Sequence, residues 1–463
     1  MTFVFSSDGR LALRIALALG LVVRLAIFWH TPTLGTEIED EQHYVQLARN
    51  IVAGNGFAWS ASQPTSIRPP LFPALVAGIF SVAGTGNLQA VRAVQILLAL
   101  LTVAVICELG RRTFSAAAGR YAAAIYFLYP SFVFFNFTIL TETLFTLLLM
   151  TFVLLTVMVA QKPRALTALL CGLTLGLAAL TRSVLWPLPL ILCPLLAVLL
   201  RGSMRTRLAI PALVLAGYAV VITPWAVRNT RLQGVVTIVD TMGGLNLRMG
   251  NYEYTPDDRM WAAVSLTGEQ SWSYPLAQEF PGQHLTEGEK DKWAQRKAIE
   301  YMRTHPETTL RRSLIKFADF WGLEREYAAG VQQGMFHPPM WLGAAASLLI
   351  VATYLAVMVC GVAGVWLAPP AWRMQVLLLL PVVVITGVHT IVFGHSRYHM
   401  PLIPLFALYG SALLTTQSLA AWRERRPAVV GAAATVLMLV ALWVRQIVLV
   451  DAGRIKSLLD HVG

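Results

Sequence analysis

Apolar runs of about 20 residues, the length a helix needs to cross the hydrocarbon core of a bilayer, recur along this chain and leave it few alternatives. The candidate spans are 11–31, 89–110, 120–137, 142–160, 165–181, 184–200, 208–226, 339–367, 373–393, 400–419 and 428–450. Composition agrees. Of 463 residues, 56% are hydrophobic and 13% charged, about half the charged share of soluble domains. A water-soluble fold is excluded, and the expected class is an all-α polytopic membrane protein.

The net charge of +12 would suit a nucleic-acid partner. The lysines and arginines instead gather in short segments between apolar runs, which is how membrane orientation is encoded. No nucleic acid is expected. Cys107, Cys171, Cys193 and Cys360 all lie within apolar stretches, with no CxxC pair, so neither a disulfide frame nor a zinc cluster is supported. Arg10 and Arg14 precede the first apolar run, which continues to Trp29 without a convincing small-residue cleavage site. A retained first helix is expected rather than a cleaved signal.

The stretch 69–84, PPLFPALVAGIFSVAG, decides the topology. It is short, carries Pro69, Pro70 and Pro73, and runs into Gly84. If it lies at the interface and the N-terminus is cytoplasmic, every basic short connection falls inside, as the positive-inside rule requires. Those connections hold Arg111, Arg112 and Arg120; Lys162 and Arg164; Arg201, Arg205 and Arg207; Arg373; and Arg423, Arg425 and Arg426. Counting 69–84 as a span would put them outside. The same parity brings the loop 32–68, the turn near Glu142, the segment 227–338 and the turn 394–399 together on the outer side.

The expected organisation is a transmembrane module 1–226, with outer loop 32–68 and interfacial helix 69–84, then an extracytoplasmic subdomain 227–338 and C-terminal transmembrane helices 339–463. In the first loop Tyr44, Leu47, Ala48, Ile51 and Val52 recur at helical spacing, with Gly54 as a stop. Thr286-Glu-Gly-Glu289 is a capping box opening a helix to about Arg303. After Pro306 a second helix sets Leu310, Leu314, Phe317 and Trp321 on one face, with Arg311, Arg312 and Lys316 off it, as an interfacial helix would.

Four places on the outer side could carry chemistry. Adjacent Asp40 and Glu41 could supply a general base or hold a cation, although Asp40 could equally cap its helix. Arg68, where the interfacial helix begins, suits a phosphate or simple snorkelling to lipid. The dense turn His395-Ser396-Arg397-Tyr398-His399 has the same two readings. Glu142 sits at the outer end of a span, where an acid is costly unless paired or functional. Arg24, inside the first span, is read as structural.

In order along the chain stand Asp40-Glu41-x-x-Tyr44 with Ala48, Arg68-Pro-Pro-Leu-Phe-Pro, Arg111-Arg112-x-Phe114 and Thr141-Glu142-x-Leu-Phe. Pro224-Trp225-x-x-Arg228-Asn229 and Arg397-Tyr398-x-x-Pro401-x-x-Pro404 follow. Taken together they resemble the membrane glycosyltransferases of the GT-C superfamily, in the branch of protein O-mannosyltransferases and lipid A aminoarabinose transferases. The resemblance covers about residues 10–410. It implies a GT-C fold of about 11 transmembrane helices, with surface-lying helices in the first outer loop. By matching position Asp40 would be the catalytic base, with Glu41 beside it and Glu142 as the second acid of the site. Arg68 would contact the carrier phosphate, where relatives often have Lys, and His395, Arg397 and Tyr398 would lie at the lipid-phosphate pocket. Some relatives carry an acidic metal ligand just before the Arg68 position, where this chain has Ile67. A divalent metal ion is therefore left open and no other cofactor is called for.

The expected reaction is direct displacement at the anomeric carbon of a polyprenyl-phosphate sugar by an acceptor hydroxyl. Membrane lipids and an extracytoplasmic acceptor (lipid A, another glycan or protein) are the expected partners. The rival class is a lipid or sugar transporter or flippase, which should show broken helices near the midplane and an internal repeat; a third reading is a non-catalytic partner in glycan assembly. The polar groups here cluster at one interface, which favours the enzyme.

Overall fold

The computed structural model describes residues 8–257, 260–332, 334, 337–416 and 426–453. Helix α1 (Arg10–His30) leads into the first outer loop, which carries α2 (Glu39–Val52) and α3 (Leu71–Ala83). There follow α4 (Leu88–Thr113), α5 (Ala116–Leu128), α6 (Pro130–Phe135) and α7 (Glu142–Gln161). Then come α8 (Ala165–Ala179), α9 (Pro189–Leu199) and α10 (Met204–Gln233), the last running past the expected end at 226. The segment that follows folds into α11 (Gly243–Met249), α12 (Tyr274–Glu279), α13 (Glu287–Thr304), α14 (Pro306–Phe320) and α15 (Glu326–Gln332). The chain ends in α16 (Met340–Leu367), α17 (Trp372–Ile391), α18 (Ile403–Thr416) and α19 (Arg426–Arg445). Among the described residues the only extended pairing is a single bridge between Ala58 and Pro64.

Seven helices are long and apolar enough to cross a membrane: α1, α4, α7, α10, α16, α17 and the continuous Arg426–Val450. The other expected spans are built from shorter pieces. The stretch 120–137 breaks between α5 and α6, where Tyr129 is extended before Pro130, as the residue preceding a proline prefers. Helix α8 has 15 residues and α9 has 11, while α18 has 14 and follows a 3₁₀ turn, Ser396–Leu402. Positions 417–419, Arg423 and Arg425 lie outside the described residues. Helix α3, with 13 residues, is about 20 Å long, too short to span, and packs on α2 as an interfacial helix should.

Side-chain contacts sort the helix ends. At one end Arg120 pairs with Asp8, Arg111 and Arg112 each reach Glu108 at 2.6 Å, and Gln161 donates to the Arg112 carbonyl at 2.9 Å. At the other end Gln89 donates to the carbonyls of Phe28 (3.0 Å) and Thr31 (3.2 Å), and Arg92 to Leu34 (2.7 Å). The connection carrying Arg111, Arg112 and Arg120 and the loop 32–68 therefore occupy opposite ends. At the basic end α4 and α5 cross closely: a Cβ on Gly110 would stand 2.3 Å from the Gly119 Cα. Small residues allow such approach where no hydrophobic force drives helices together. The Arg24 guanidinium is absorbed by Asn136 Oδ1 at 2.7 Å, the Phe127 carbonyl at 2.8 Å and the Phe127 ring. It is structural.

In the segment between α10 and α16 the capping box forms as expected. Thr286 Oγ1 accepts from the Glu289 amide at 3.2 Å, and Glu289 Oε2 accepts from the Thr286 amide at 2.8 Å. Helix α14 is turned so that Leu310 and Leu314 are each 64% exposed while Arg312 and Lys316 are buried. Leu310 and Leu314 face away from the protein, as they would toward lipid, whereas Phe317 and Trp321 of the expected apolar face pack into the core, and Arg312 and Lys316 plug polar backbone. Arg312 donates to the carbonyls of Tyr252 (2.7 Å) and Thr255 (2.8 Å), and Lys316 Nζ to Asn251 Oδ1 and the Ile391 carbonyl, both at 2.8 Å.

Candidate active site

The site begins at the first turn of α2. Ile38 occupies the N-cap, so the capping expected of Asp40 falls to Glu41. Glu41 Oε2 accepts from the amides of Glu37 (2.9 Å) and Ile38 (3.0 Å), and its Oε1 from the amide of Ile139 (2.6 Å). Burial raises its pKa in spite of these backbone bonds. Both oxygens are occupied, so Glu41 ties α2 to the segment before α7 and does not face the charged cluster. Asp40, released from capping, does.

Arg68 Nη2 donates to Asp40 Oδ1 at 2.7 Å and to His43 Nδ1 at 3.0 Å. The loop that carries Arg68 is held by the Trp225–Asn229 motif at the outer end of α10. Arg228 donates to the carbonyls of Thr65 (2.6 Å) and Phe57 (3.0 Å), and the Ser66 hydroxyl donates to Asn229 Oδ1 at 3.0 Å. From the subdomain, Glu287 accepts from Thr65 Oγ1 (2.6 Å) and the Ser66 amide (2.7 Å).

Arg397 comes from the 3₁₀ turn after α17. Its Nη1 donates to Asp40 Oδ2 at 3.1 Å, and its Nε donates to Glu142 Oε1. Glu142 is the first residue of α7, fully buried, at a helix end that favours negative charge. Its Oε1 also accepts from Arg182 Nη2 at 2.6 Å, while Arg182 Nε donates to Thr141 Oγ1 at 2.9 Å. The groups alternate in sign along Arg68, Asp40, Arg397, Glu142 and Arg182, leaving an excess of one positive charge. Burial alone would raise the Asp40 pKa, but Arg397 and Arg68 more than offset it and hold the carboxyl below its usual range. Within this cluster two buried side-chain atoms have no protein partner, Arg68 Nε and Glu142 Oε2.

The turn that presents Arg397 is fixed from several sides. The Tyr398 ring stacks on His389 at 4.3 Å, and His395 Nδ1 accepts from the Arg397 amide at 3.2 Å while facing Glu326 Oε1 at 3.3 Å. Gly394 presses on α14, where a Cβ would stand 2.2 Å from the Lys316 carbonyl. Burial, and then Arg312, pull the Lys316 ammonium down to about 7. His399 stacks between Tyr354 and Trp321 and faces Glu324 Oε1 at 3.3 Å, within the packed interior.

Asp40, Arg68, Glu142 and Arg397 thus meet, with Tyr398 and His395 on the turn beside them. Glu41 is spent on backbone. The sequence reading missed Arg182, His43 and Asp240. Arg182 had a signal: it is a basic residue in an outer turn, against the positive-inside bias. Asp240, pushed up to about 6 by burial, accepts from Ser183 and from the Met242 amide and lies within the field of Arg68. The donor set does not suit a resident divalent ion. Both Asp40 oxygens and Glu142 Oε1 are already taken by guanidiniums, whose charge would repel a cation. No group of three metal-ligating side chains occurs among the described residues.

Residues 67–227 match the family described as dolichyl-phosphate-mannose-protein mannosyltransferase. No curated protein sequence matches the chain. Among solved structures, ArnT from Cupriavidus metallidurans bound to undecaprenyl phosphate is similar at 17% identity, covering 89% of this chain and 78% of that one, with a TM-score of 0.39. The Archaeoglobus fulgidus oligosaccharyltransferase in complex with zinc and sulfate is similar at 13% identity, covering 93% and 52%, with a TM-score of 0.52. AglB from the same organism, with an inhibitory peptide and a dolichol-phosphate, gives 12% identity, 93% and 55% coverage and a TM-score of 0.50. The chain spans about half the length of these archaeal proteins. The residues matched by the family include Arg68, Glu142 and Arg182, while Asp40 and Arg397 lie outside them. The chain is a multi-pass membrane protein with the GT-C glycosyltransferase fold.

Proposed function

We propose that this protein is a glycosyltransferase of the cytoplasmic membrane. It takes a sugar from a polyprenyl-phosphate carrier and passes it to an acceptor on the extracytoplasmic side. The observation that carries this reading is the buried carboxylate of Asp40 flanked by two guanidiniums, Arg68 at 2.7 Å and Arg397 at 3.1 Å. Such an arrangement offers a base and a phosphate grip within one site.

In the proposed step an acceptor hydroxyl oxygen attacks the anomeric carbon as its proton passes to Asp40. The bond from that carbon to the phosphate oxygen breaks, and the electron pair leaves on the polyprenyl phosphate. Arg68, with its free Nε, and Arg397 stabilise the departing charge, since fixed donors in a dry site cost no reorganisation. Glu142 Oε2, also free, is placed to accept from a sugar hydroxyl. Direct displacement inverts the anomeric centre. Asp40 with its pKa held low is a weak base, and a base works best near the operating pH. Phosphate oxygens competing for the same guanidiniums would withdraw them from Asp40 and raise its basicity, so donor binding itself arms the base. No step runs through a metal.

Two comparisons support the donor class: the matched family is described by dolichyl-phosphate-mannose, and the AglB structure holds a dolichol-phosphate. Sidedness is supported by the basic connections lying at the opposite end from this cluster. The test is mass spectrometry of cell-envelope glycans and lipids from a deletion strain and its parent. It is joined by transfer assays with purified protein and short-chain polyprenyl-phosphate sugars. A sugar mass lost on deletion, and restored by wild type but not by Asp40→Asn, is the expected result. Identical envelopes with no donor consumed would overturn the reading.

A further inference from the structure

We propose that an open groove on the far side of α2 from Asp40 binds the saccharide portion of the acceptor, with Trp59 as its platform. This rests on the glycosyltransferase reading and narrows it, making the acceptor a glycan.

Helix α2 is two-faced. Tyr44 and Ala48, which follow Asp40 at helical spacing, are buried, whereas Gln42, Gln46 and Arg49 point the opposite way and are exposed. That second face floors a groove of about 410 Å³, also lined by Thr36, Asn50, Trp59 and Leu88. Ligand sites commonly fall in this size range.

Trp59 is held as a platform rather than as packing. Its carbonyl accepts from Gln46 Nε2 at 2.8 Å and Asn50 Nδ2 at 3.0 Å, and its amide donates to the Gln63 carbonyl at 2.9 Å. The main chain is pinned, while the half-buried ring is contacted by His43 with centroids 5.0 Å apart. Its indole N–H finds no acceptor among the described residues, and the Arg49 guanidinium has no ion pair there. A pyranose presents one C–H face, which packs on an aromatic ring, and a rim of hydroxyls. The Arg49 guanidinium and the Trp59 indole N–H can donate to that rim, and the amide oxygens of Gln42 and Gln46 can accept from it. The alternatives fit less well. A peptide bound by its backbone needs a free strand edge, and a helix floor offers none. An interfacial belt tryptophan sits at the end of a span, whereas Trp59 lies within the first outer loop among amides.

The groove communicates with the site. His43 lies against the Trp59 ring and accepts from Arg68 at 3.0 Å, and Arg68 donates to Asp40 at 2.7 Å. A sugar stacked on Trp59 is therefore one imidazole away from the arginine that faces the base. The next sugar of the same glycan can reach past the first turn of α2 to bring its hydroxyl to Asp40.

The experiment uses the full chain in detergent, applied to a printed array of mono- to tetrasaccharides, with Trp59→Ala, Trp59→Phe and Arg49→Ala variants of matched melting temperature. Wild type should retain a defined set of saccharides. Trp59→Ala and Arg49→Ala should lose that binding at least tenfold, and Trp59→Phe should keep most of it. In transfer assays the same two losses should appear in the KM for a saccharide acceptor and not in the KM for the donor. Wild type retaining no saccharide, or Trp59→Ala binding as wild type does, would overturn the proposal. So would a Trp59→Ala defect confined to phosphatidylglycerol vesicles, which would make the groove a lipid surface. Saccharide binding that depends on Trp59, without transfer from any polyprenyl-phosphate sugar, would sustain the groove and sink the enzyme reading instead.

Discussion

Replacing Asp40 by Asn separates the two halves of the proposed site, because the structure makes opposite demands on them. The amide keeps the side chain's size and leaves the α2 cap untouched, since Glu41 supplies it. It can still accept one guanidinium N–H, so of the two charge-assisted bonds at 2.7 and 3.1 Å about one is forfeited. Such a bond is worth roughly 1.5–3 kcal/mol. The fold should therefore lose at most a few degrees of melting temperature, and Arg68 and Arg397 become less occupied. A donor phosphate then meets two less encumbered guanidiniums, and the donor KM should hold or fall by up to about a decade, at roughly 1.4 kcal/mol per tenfold. Turnover should move the other way, dropping by about 10²–10⁴-fold with the loss of the general base. The assay is initial-rate transfer from a short-chain polyprenyl-phosphate sugar at saturating acceptor, with kcat and donor KM resolved separately. A kcat within threefold of wild type would refute Asp40 as base. A raised donor KM at unchanged kcat would mean that Asp40 belongs to the donor grip. The pH sign follows from its depressed pKa: the contribution of the Asp40 ion pairs to stability is present above the ordinary 3.8 and is lost only as pH falls through the lower folded value.

Arg397 bridges Asp40 and Glu142 at once, which a lysine's point charge cannot reproduce. Arg397→Lys should thus raise the donor KM by about one to two decades, whereas unchanged donor dependence in both Lys and Ala variants would remove it from the site. Arg182 lacks contact with Asp40 but neutralises Glu142 beneath it, so Arg182→Ala should lower melting temperature and kcat together; a variant with wild-type values of both would show that Arg397 suffices for Glu142. Lys316 is pulled from 10.5 to about 7, so between those values the unfolded chain holds the extra proton and stability rises with pH. The melting-temperature difference between wild type and Lys316→Met should grow from pH 6.5 to 9.5, and a constant difference would contradict the buried ammonium. Exposed Gln283 and Arg205, replaced singly by Cys, should react with an impermeant thiol reagent from outside and only after permeabilisation, respectively; the reverse pattern would invert the topology.

Much of this architecture was legible in one dimension because a bilayer imposes a one-dimensional rule. Apolar length specifies spans, basic loops specify orientation, and parity then obliges Asp40, Arg68, Glu142 and Arg397 to share one side. The capping box at Thr286 was legible too, since both of its bonds run between residues three apart. What the pattern could not assign is which polar groups find each other. Glu41 takes the cap and frees Asp40, because the neighbouring carboxylate reaches back to the Glu37 and Ile38 amides. Arg182 joins the cluster because α8 ends beside the start of α7, a fact of helix packing. Helix α14 buries Arg312 and Lys316 and exposes Leu310 and Leu314, since the carbonyls of Tyr252, Thr255 and Ile391 face its basic edge. Local sequence therefore determined the elements and their caps, and gathered the polar groups at one end of the helices. Only tertiary structure decided their partners, because the free energy of a buried ion pair depends on the one group within about 4 Å, which may stand hundreds of residues away along the chain.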